Sequence, residues 1–492
     1  MKILKIMIVM LVLIMSVGAV CAADDTSDEI ISNDSQDTLE ITQDDIYTTE
    51  ESSFSDLTEK IENAGTALDL TNDYTFNNAT DNNTGILISR DNFFLNGNGF
   101  TIDGNKQSRI FNITANNVTL SNLILINSNA DKGAAIRANG TLTLNNITFI
   151  NNNASEFGGA IALYNNVTLT CNNSKFIDNT GERGAIFIQN GKLNLYNSYL
   201  TSEKFAKVGQ IYGHIGSSIN VENTTFENII SSYSPAVYLT SSKARIINSK
   251  FNNLKANISA GAMSLREGGE LYIENCKFIN TTSSRNAGAV YVDITGYSSS
   301  TGNVTILNSL FKDTYSEFGG AYLQLGGQLW INNTEFINSH ATYNGGAIYL
   351  SFVDSAINNC IFDSNGVDDI DDYPTYGGAI YSDITTLNIT DSRFINNIAT
   401  KGNAVYAYDT SYNIKNTLFE NNTNGIYTLF DKGCSLENNT LINDDISLNN
   451  THYESVVTGE GLELTLINNT IDVDTLPSKF DLRDWGWMST VR

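Results

Sequence analysis

Histidine, tryptophan and proline occur three times each in the 492 residues, and cations are scarce, with 28 Lys and Arg against 54 Asp and Glu. Each shortage excludes something. His214, His340 and His452 stand alone in the sequence, with no metal-ligand spacing around them and no partner for an activated nucleophile. There is no zinc-ligand spacing, no phosphate-cradling glycine loop and no serine elbow. A formal charge of −26 sets up a field that repels nucleic acid and anionic membrane surfaces. Scarce proline beside a 41% apolar fraction describes a folded chain with polar faces, not a disordered one. After the first apolar run, no segment is long enough to span a bilayer as a helix.

What the chain has in abundance is asparagine, and it is periodic. An Asn recurs about every 25 residues, three positions before an aromatic or aliphatic residue. The column reads Asn122, Asn146, Asn173, Asn197, Asn223, Asn248, Asn275, Asn308, Asn333, Asn359, Asn416, Asn438 and Asn468, with Asp391 as the one substitution. Its partner column is mostly Phe, from Phe149 through Phe336 to Phe419. A fixed period of this size is the signature of a repeat architecture. Asn is also the side chain that best tolerates the left-handed backbone of a sharp bend.

Around each bend the apolar residues alternate. Leu329, Ile331, Thr334 and Phe336 point one way, and Trp330, Asn332 and Glu335 the other, which is the period of a strand. A glycine turn and a short apolar strand follow about 10 residues later, as in Gly319-Gly320-Ala321-Tyr322 and Gly345-Gly346-Ala347-Ile348. The expectation is an all-β, right-handed parallel β-helix with three short strands and three turns per coil. About 14 to 16 coils at the ~4.8 Å strand spacing make a monomeric rod on the order of 70 Å long.

The register also governs the cysteines. Cys276 and Cys360 share a column three coils apart, roughly 14 Å, beyond the reach of a disulfide. With Cys171 and Cys434 they read as buried thiols.

Residues 1–23 have the form of a secretory signal peptide, with Lys2 and Lys5, an apolar core from Ile6 to Val17, and small residues before a cleavage point near Ala22 or Ala23. An uncleaved anchor fits less well because the run is short. A lipidated Cys21 fits less well because Val20 precedes it. Residues 24–53, with eleven acids and no Lys or Arg, read as an acidic disordered linker. Phe54 to Gly65 reads as a short capping helix, with Asp56 as N-cap and Leu57, Ile61 and Ala64 on one face. The β-helix repeats extend over 54–472, irregular from Leu68 to Ile102 and regular from Val118 to Ile471. Two long coils carry insertions, Asp293 to Gly302 and Gly366 to Tyr376.

Asp368, Asp369, Asp371 and Asp372 in the second insertion are hard-cation ligands, and Ca²⁺ is the ion they suit. Against that, they lack the Asp-x-Asp-x-Asp-Gly spacing, and a solvated acidic loop is the plainer account. The Asn column offers a sugar-binding stripe or, more simply, bend residues bonded to one another. Outward aromatics at Tyr164, Tyr196, Tyr272, Trp330 and Tyr349 are positions on which sugars stack, though half of any strand faces out. Sequons at Asn78, Asn112, Asn117, Asn146, Asn153, Asn166, Asn303 and Asn388 are partly a by-product of Asn and Thr richness, and in an exported chain some carry glycans.

The tetrapeptides Phe149-Ile150-Asn151-Asn152, Phe176-Ile177-Asp178-Asn179, Phe394-Ile395-Asn396-Asn397 and Phe419-Glu420-Asn421-Asn422, interleaved with Gly-Gly-Ala-Ile, resemble the repeats of polymorphic bacterial outer-membrane adhesins. With Ile102-Asp103-Gly104-Asn105 and Ile110-Phe111-Asn112-Ile113-Thr114, the chain is more similar still to adhesin-like surface proteins of methanogenic archaea, over roughly 54–472. The resemblance implies a right-handed pectin-lyase-like β-helix on the cell surface, contacting glycans or proteins of other cells. Leu476-Pro477-Ser478-Lys479-Phe480-Asp481-Leu482-Arg483-Asp484-Trp485-Gly486-Trp487 resembles the start of a mature papain-family cysteine peptidase. Residues 473–492 then read as a truncated opening of that domain, without the family's catalytic Cys, His or Asn.

The resulting expectation is an exported, non-catalytic surface protein with no cofactor. The alternatives are a polysaccharide lyase or hydrolase on the same fold, and the N-terminal region of a surface peptidase whose catalytic domain is missing.

Overall fold

The computed structural model describes residues 52–294, 302–368, 374–429, 433–444, 446–448 and 464–472. The expected signal peptide, the linker as far as 51, and the peptidase-like 473–492 lie outside the described residues. So do His452 and the acids Asp369, Asp371 and Asp372.

The described chain is a parallel β-solenoid of about 14 turns, nearly all β, with one short helix near its start. That helix, α1 (Phe54–Asn63), buries Phe54, Leu57 and Ile61. Phe54 meets Phe76 edge-on at 5.6 Å, so α1 packs onto the first coils. Its N-cap is Ser53 and not Asp56. Asp56 is the third residue of a capping box and accepts from the Ser53 amide at 2.7 Å. The Ser-x-x-Asp pattern outranks the Asp-x-x-Glu reading because Ser53 already has the extended backbone of a cap (φ −87°, ψ 173°). At the far end of α1, the Arg90 guanidinium reaches the carbonyls of Ile61 (3.4 Å) and Glu62 (3.1 Å), closing orphan acceptors of the last turn.

One coil is clear at Val290–Asp293, Gly302–Leu307, Leu310–Lys312 and Tyr315–Phe318. It holds four extended stretches, one more than the three expected. The stretch missing from that expectation is Tyr315–Phe318, between the Phe strand and the glycine turn, while the corner after the glycine-turn strand has no consensus residue. Across coils that corner holds Ser241, Glu267, Gly327, Phe352, Ile384 and Asp409, all at positive φ.

Each stretch pairs in parallel with its copy in the next coil. Val290 pairs with Tyr322 and Tyr322 with Ile348. Ile306, Ile331 and Ile357 form a second column, and Phe311, Phe336 and Phe362 a third. The early coils, expected to be irregular, keep the same register: Ala67 pairs with Phe94, Phe94 with Thr119, and Ile86 with Phe111.

The Phe column lies at the centre of the core. Phe226, Phe251, Phe278, Phe311, Phe336, Phe362, Phe394 and Phe419 are all fully buried. Their rings stack nearly parallel, with centroids 4.6 to 5.0 Å apart. Such offset stacking adds about 0.5–1.5 kcal/mol per pair beyond the area buried. The glycine corner is equally tight. A Cβ on Gly346 would stand 2.0 Å from the Gly378 carbonyl oxygen. Among the described residues, no helix is long and apolar enough to cross a membrane.

Candidate functional site

The asparagine column supplies bends. Asn146, Asn173, Asn197, Asn223, Asn248, Asn275, Asn308, Asn333, Asn359, Asn416 and Asn438 all lie at φ between 48° and 56°. Their side chains run up the solenoid as a ladder. Asn333 Nδ2 donates to Asn308 Oδ1 at 2.8 Å, and Asn359 Nδ2 donates to Asn333 Oδ1 at 3.1 Å. Amides engaged in this way are held by their neighbours.

A second left-handed column, which the sequence reading missed, falls five residues further on. Asn151, Asp178, Asn228, Asn253, Asn280, Asp313, Asn338, Ser364, Asn396 and Asn421 occupy it. The signal was available as Asn-x-x-x-x-Asn around Phe149, Phe226, Phe251, Phe278, Phe336 and Phe419. Inside the solenoid a third set is buried: Asn397 Nδ2 donates to Asn422 Oδ1 at 2.8 Å, and Asn365 Nδ2 to Asn397 Oδ1 at 2.9 Å.

The other candidates disperse. Asp368 donates its amide to the Ala341 carbonyl at 2.8 Å, and its carboxylate stands 3.9 Å from His340 Nδ1. Among the described residues, no group of three or more His, Cys, Asp or Glu is placed to hold a metal ion. His214 packs against the rings of Phe187 and Tyr212, and burial lowers its pKa. Cys171, Cys276 and Cys360 are buried free thiols whose pKa burial pushes up to about 12, so none is poised as a nucleophile. Cys434 is also buried.

Of the outward aromatics, four are half-buried, and three of these pack on neighbouring side chains. Tyr349 stacks on Tyr381 at 4.7 Å, and Tyr381 continues to Tyr406 and Tyr427 at 5.3 and 5.4 Å. Tyr272 lies under the Arg245 guanidinium and donates to Glu274 at 2.9 Å. Tyr164 tilts against Phe187, and Tyr196 lies in a strand. Trp330 differs, with 51% of its surface exposed.

The strand that carries Trp330, Tyr322–Asn332, also borders a cleft of about 520 Å³ at the corner without a consensus residue. Gln328, two positions before Trp330 on the same strand face, lines it with Phe352, Asp354, Ile384 and Asp409. Phe352 is 57% exposed and Ile384 41% exposed, and both sit at left-handed φ, 58° and 51°. A bulky or β-branched residue there is strained, and such strain concentrates at functional sites. The lining contains no Lys or Arg.

Asp383 adjoins the cleft. Burial raises its pKa, a hydrogen bond from Ser351 at 3.2 Å opposes the rise, and the charge of Asp409 adds to it. A smaller cleft of about 280 Å³ opens on the same corner of earlier coils, lined by Ser241, Lys243, Glu267 and Gly269. Openings at 216–269 and at 327–411 thus lie on this corner.

No protein-family model matches the chain. Over 80 residues it is 36% identical to metabotropic glutamate receptor-like protein R of Dictyostelium discoideum, a stretch covering 16% of this chain and 5% of that protein's length. Among solved structures it is similar to tailspike protein 3 of bacteriophage CBA120, at 10% identity and a TM-score of 0.19, covering 87% of this chain and 61% of that one. It is also similar to a PL6-family alginate lyase, at 8% identity and a TM-score of 0.19, covering 85% of this chain and 99% of that one.

Proposed function

We propose that the protein is an exported surface solenoid that binds neutral glycan chains along its open corner, without chemistry of its own. The observation that carries this reading is the cleft lined by exposed Phe352 and Ile384, with exposed Trp330 two residues beyond Gln328 of the lining. Sugar rings present C–H faces that pack on aromatic rings. Their hydroxyls donate to carboxylates and amides, here Asp354, Asp409 and Gln328. With acids in the lining and no cation, the cleft disfavours a polyuronate and suits an uncharged chain. The leader-like residues 1–23 support export, which places the corner where other cells' glycans are met.

The test is a glycan array with the mature chain, read together with a turnover assay. Binding of neutral oligosaccharides is expected, with Trp330→Ala and Phe352→Ala each weakening it roughly tenfold, about 1.4 kcal/mol. Selective binding of polyuronates would overturn the reading.

A second reading, a carbohydrate-cleaving enzyme, is favoured by one observation. Asp383 and Asp409 are interacting carboxylates, and the environment raises the pKa of Asp383. Release of reducing ends that Asp383→Asn abolishes would select it.

A further inference from the structure

Asn-x-Ser/Thr sequons recur along the chain, and two sets of them stand out in the structure. In the first set the sequon Asn belongs to a bend ladder or its edge, and its nitrogen is engaged. Asn117 Nδ2 donates to Asn92 at 2.7 Å, Asn146 to Asn122 at 2.9 Å, Asn223 to Asn197 at 3.3 Å and Asn280 to Asn253 at 3.1 Å. In the second set the sequon Asn is exposed, and among the described residues its Nδ2 makes no hydrogen bond. Asn78 and Asn82 lie in the turn after the first strands, with Asn82 Oδ1 accepting the Thr84 amide at 3.1 Å. Asn139 and Asn166 precede long strands, and Asn257 follows one. Asn153 begins a strand of the small three-stranded sheet, its Oδ1 accepting from the Thr180 hydroxyl at 2.8 Å. Asn303, exposed in mid-strand, shares the free nitrogen.

We propose that N-linked glycans are carried by the exposed set, Asn78, Asn82, Asn139, Asn153, Asn166, Asn257 and Asn303, and are excluded from the ladder set. The inference rests on the reading that the chain is exported. The donor is an oligosaccharide carried on a lipid phosphate or diphosphate. Asn Nδ2 attacks the sugar C1, the N–C1 bond forms, the C1–O bond to phosphate breaks, Nδ2 loses one proton, and the lipid phosphate leaves. An attacking nitrogen must be free to turn out of its amide plane. In the ladder that plane is fixed by the donated bond, and the next amide stacks only about 4.8 Å away. A sugar there would also part consecutive coils. At the exposed positions attachment costs no bond that the fold uses, and the glycan projects into solvent.

Glycopeptide mass spectrometry of the protein purified from the cells that make it, with its N-terminal residue determined, tests this. Glycan on members of the exposed set, with Asn117, Asn146, Asn223 and Asn280 unmodified, is the expected result. Asn153→Gln, an exposed change, then removes one glycan mass if that site is occupied. Glycan on any ladder residue, or none anywhere, overturns the inference. The N-terminus separates the two failures. A chain beginning near residue 23 without glycan defeats this inference alone, whereas a retained Met1 without glycan defeats the export reading as well.

Discussion

At φ 49°, Asn333 occupies backbone that most side chains avoid, and its side-chain amide hydrogen-bonds to the coils on both sides. Replacing it with Leu strains the bend and deletes both bonds. Asn333→Leu is expected to cost about 2–4 kcal/mol. Glu335→Gln, on the exposed face of the next strand, should stay within about 0.5 kcal/mol. Equal melting temperatures for the two would mean that the ladder contributes nothing. The strained residues at the open corner should behave the opposite way. Ile384→Gly relieves a left-handed β-branched residue and loses little burial, so the melting temperature should hold or rise while glycan affinity falls.

Asp383 adds a pH dependence. Its folded pKa is raised above the unfolded value, so protonation favours the fold, and that contribution is lost as pH rises through the folded pKa. Asp383→Asn should therefore stabilise at neutral pH, and the gain should vanish in acid. A gain that persisted in acid would refute burial of the charge as its cause. At this scale the first bend was legible because one residue type with one backbone preference recurs in it. The cleft was not, because Phe352, Ile384 and Asp409 share a corner without sharing chemistry.

Among elements, the three-residue strands between paired bends rest on the Phe stack. Phe336→Ala removes a fully buried ring that touches two others and is expected to cost about 3–5 kcal/mol. Phe336→Leu should cost less, since Leu200 holds the same column in its own coil. Denaturation midpoints of the two variants decide this, and equal losses would show that the apolar bulk restored by Leu contributes nothing and that the ring stack carries the whole effect. Period-two alternation revealed the strands on either side of the Asn bend, but it did not show where Ile348–Asn358 turns its corner, at Phe352. A strand as short as Glu335–Ile337 has too few residues to show a period, which is why its second bend, Asn338, went unread. The capping box of α1 was misplaced by three residues because Ser53 and Asp56 are both good caps and only backbone geometry separates them.

For the whole molecule, the formal charge is −26, with eleven of the acids in residues 24–53, and among the described residues few ion pairs offset the remaining acids, such as Lys243 with Glu270 and Lys415 with Glu437. Self-repulsion of this kind is screened by salt. Thermal stability at neutral pH should therefore rise between low ionic strength and about 0.5 M sodium chloride, where the screening length is only a few ångström. A fall over that range would mean that particular ion pairs outweigh the general repulsion.

The ladder has a consequence for heredity. Asn223 donates to Asn197, and Asn275 to Asn248, by the same contact. The Phe column likewise meets itself at every step from Phe226 to Phe419. Each turn thus presents to the next the surface that it received from the one before. Unequal crossing-over that drops or doubles one repeat, for example residues 223–247, leaves a junction of a kind already present on both sides. The gene for such a molecule is free to drift in copy number, and relatives that differ by whole turns need no compensating substitutions.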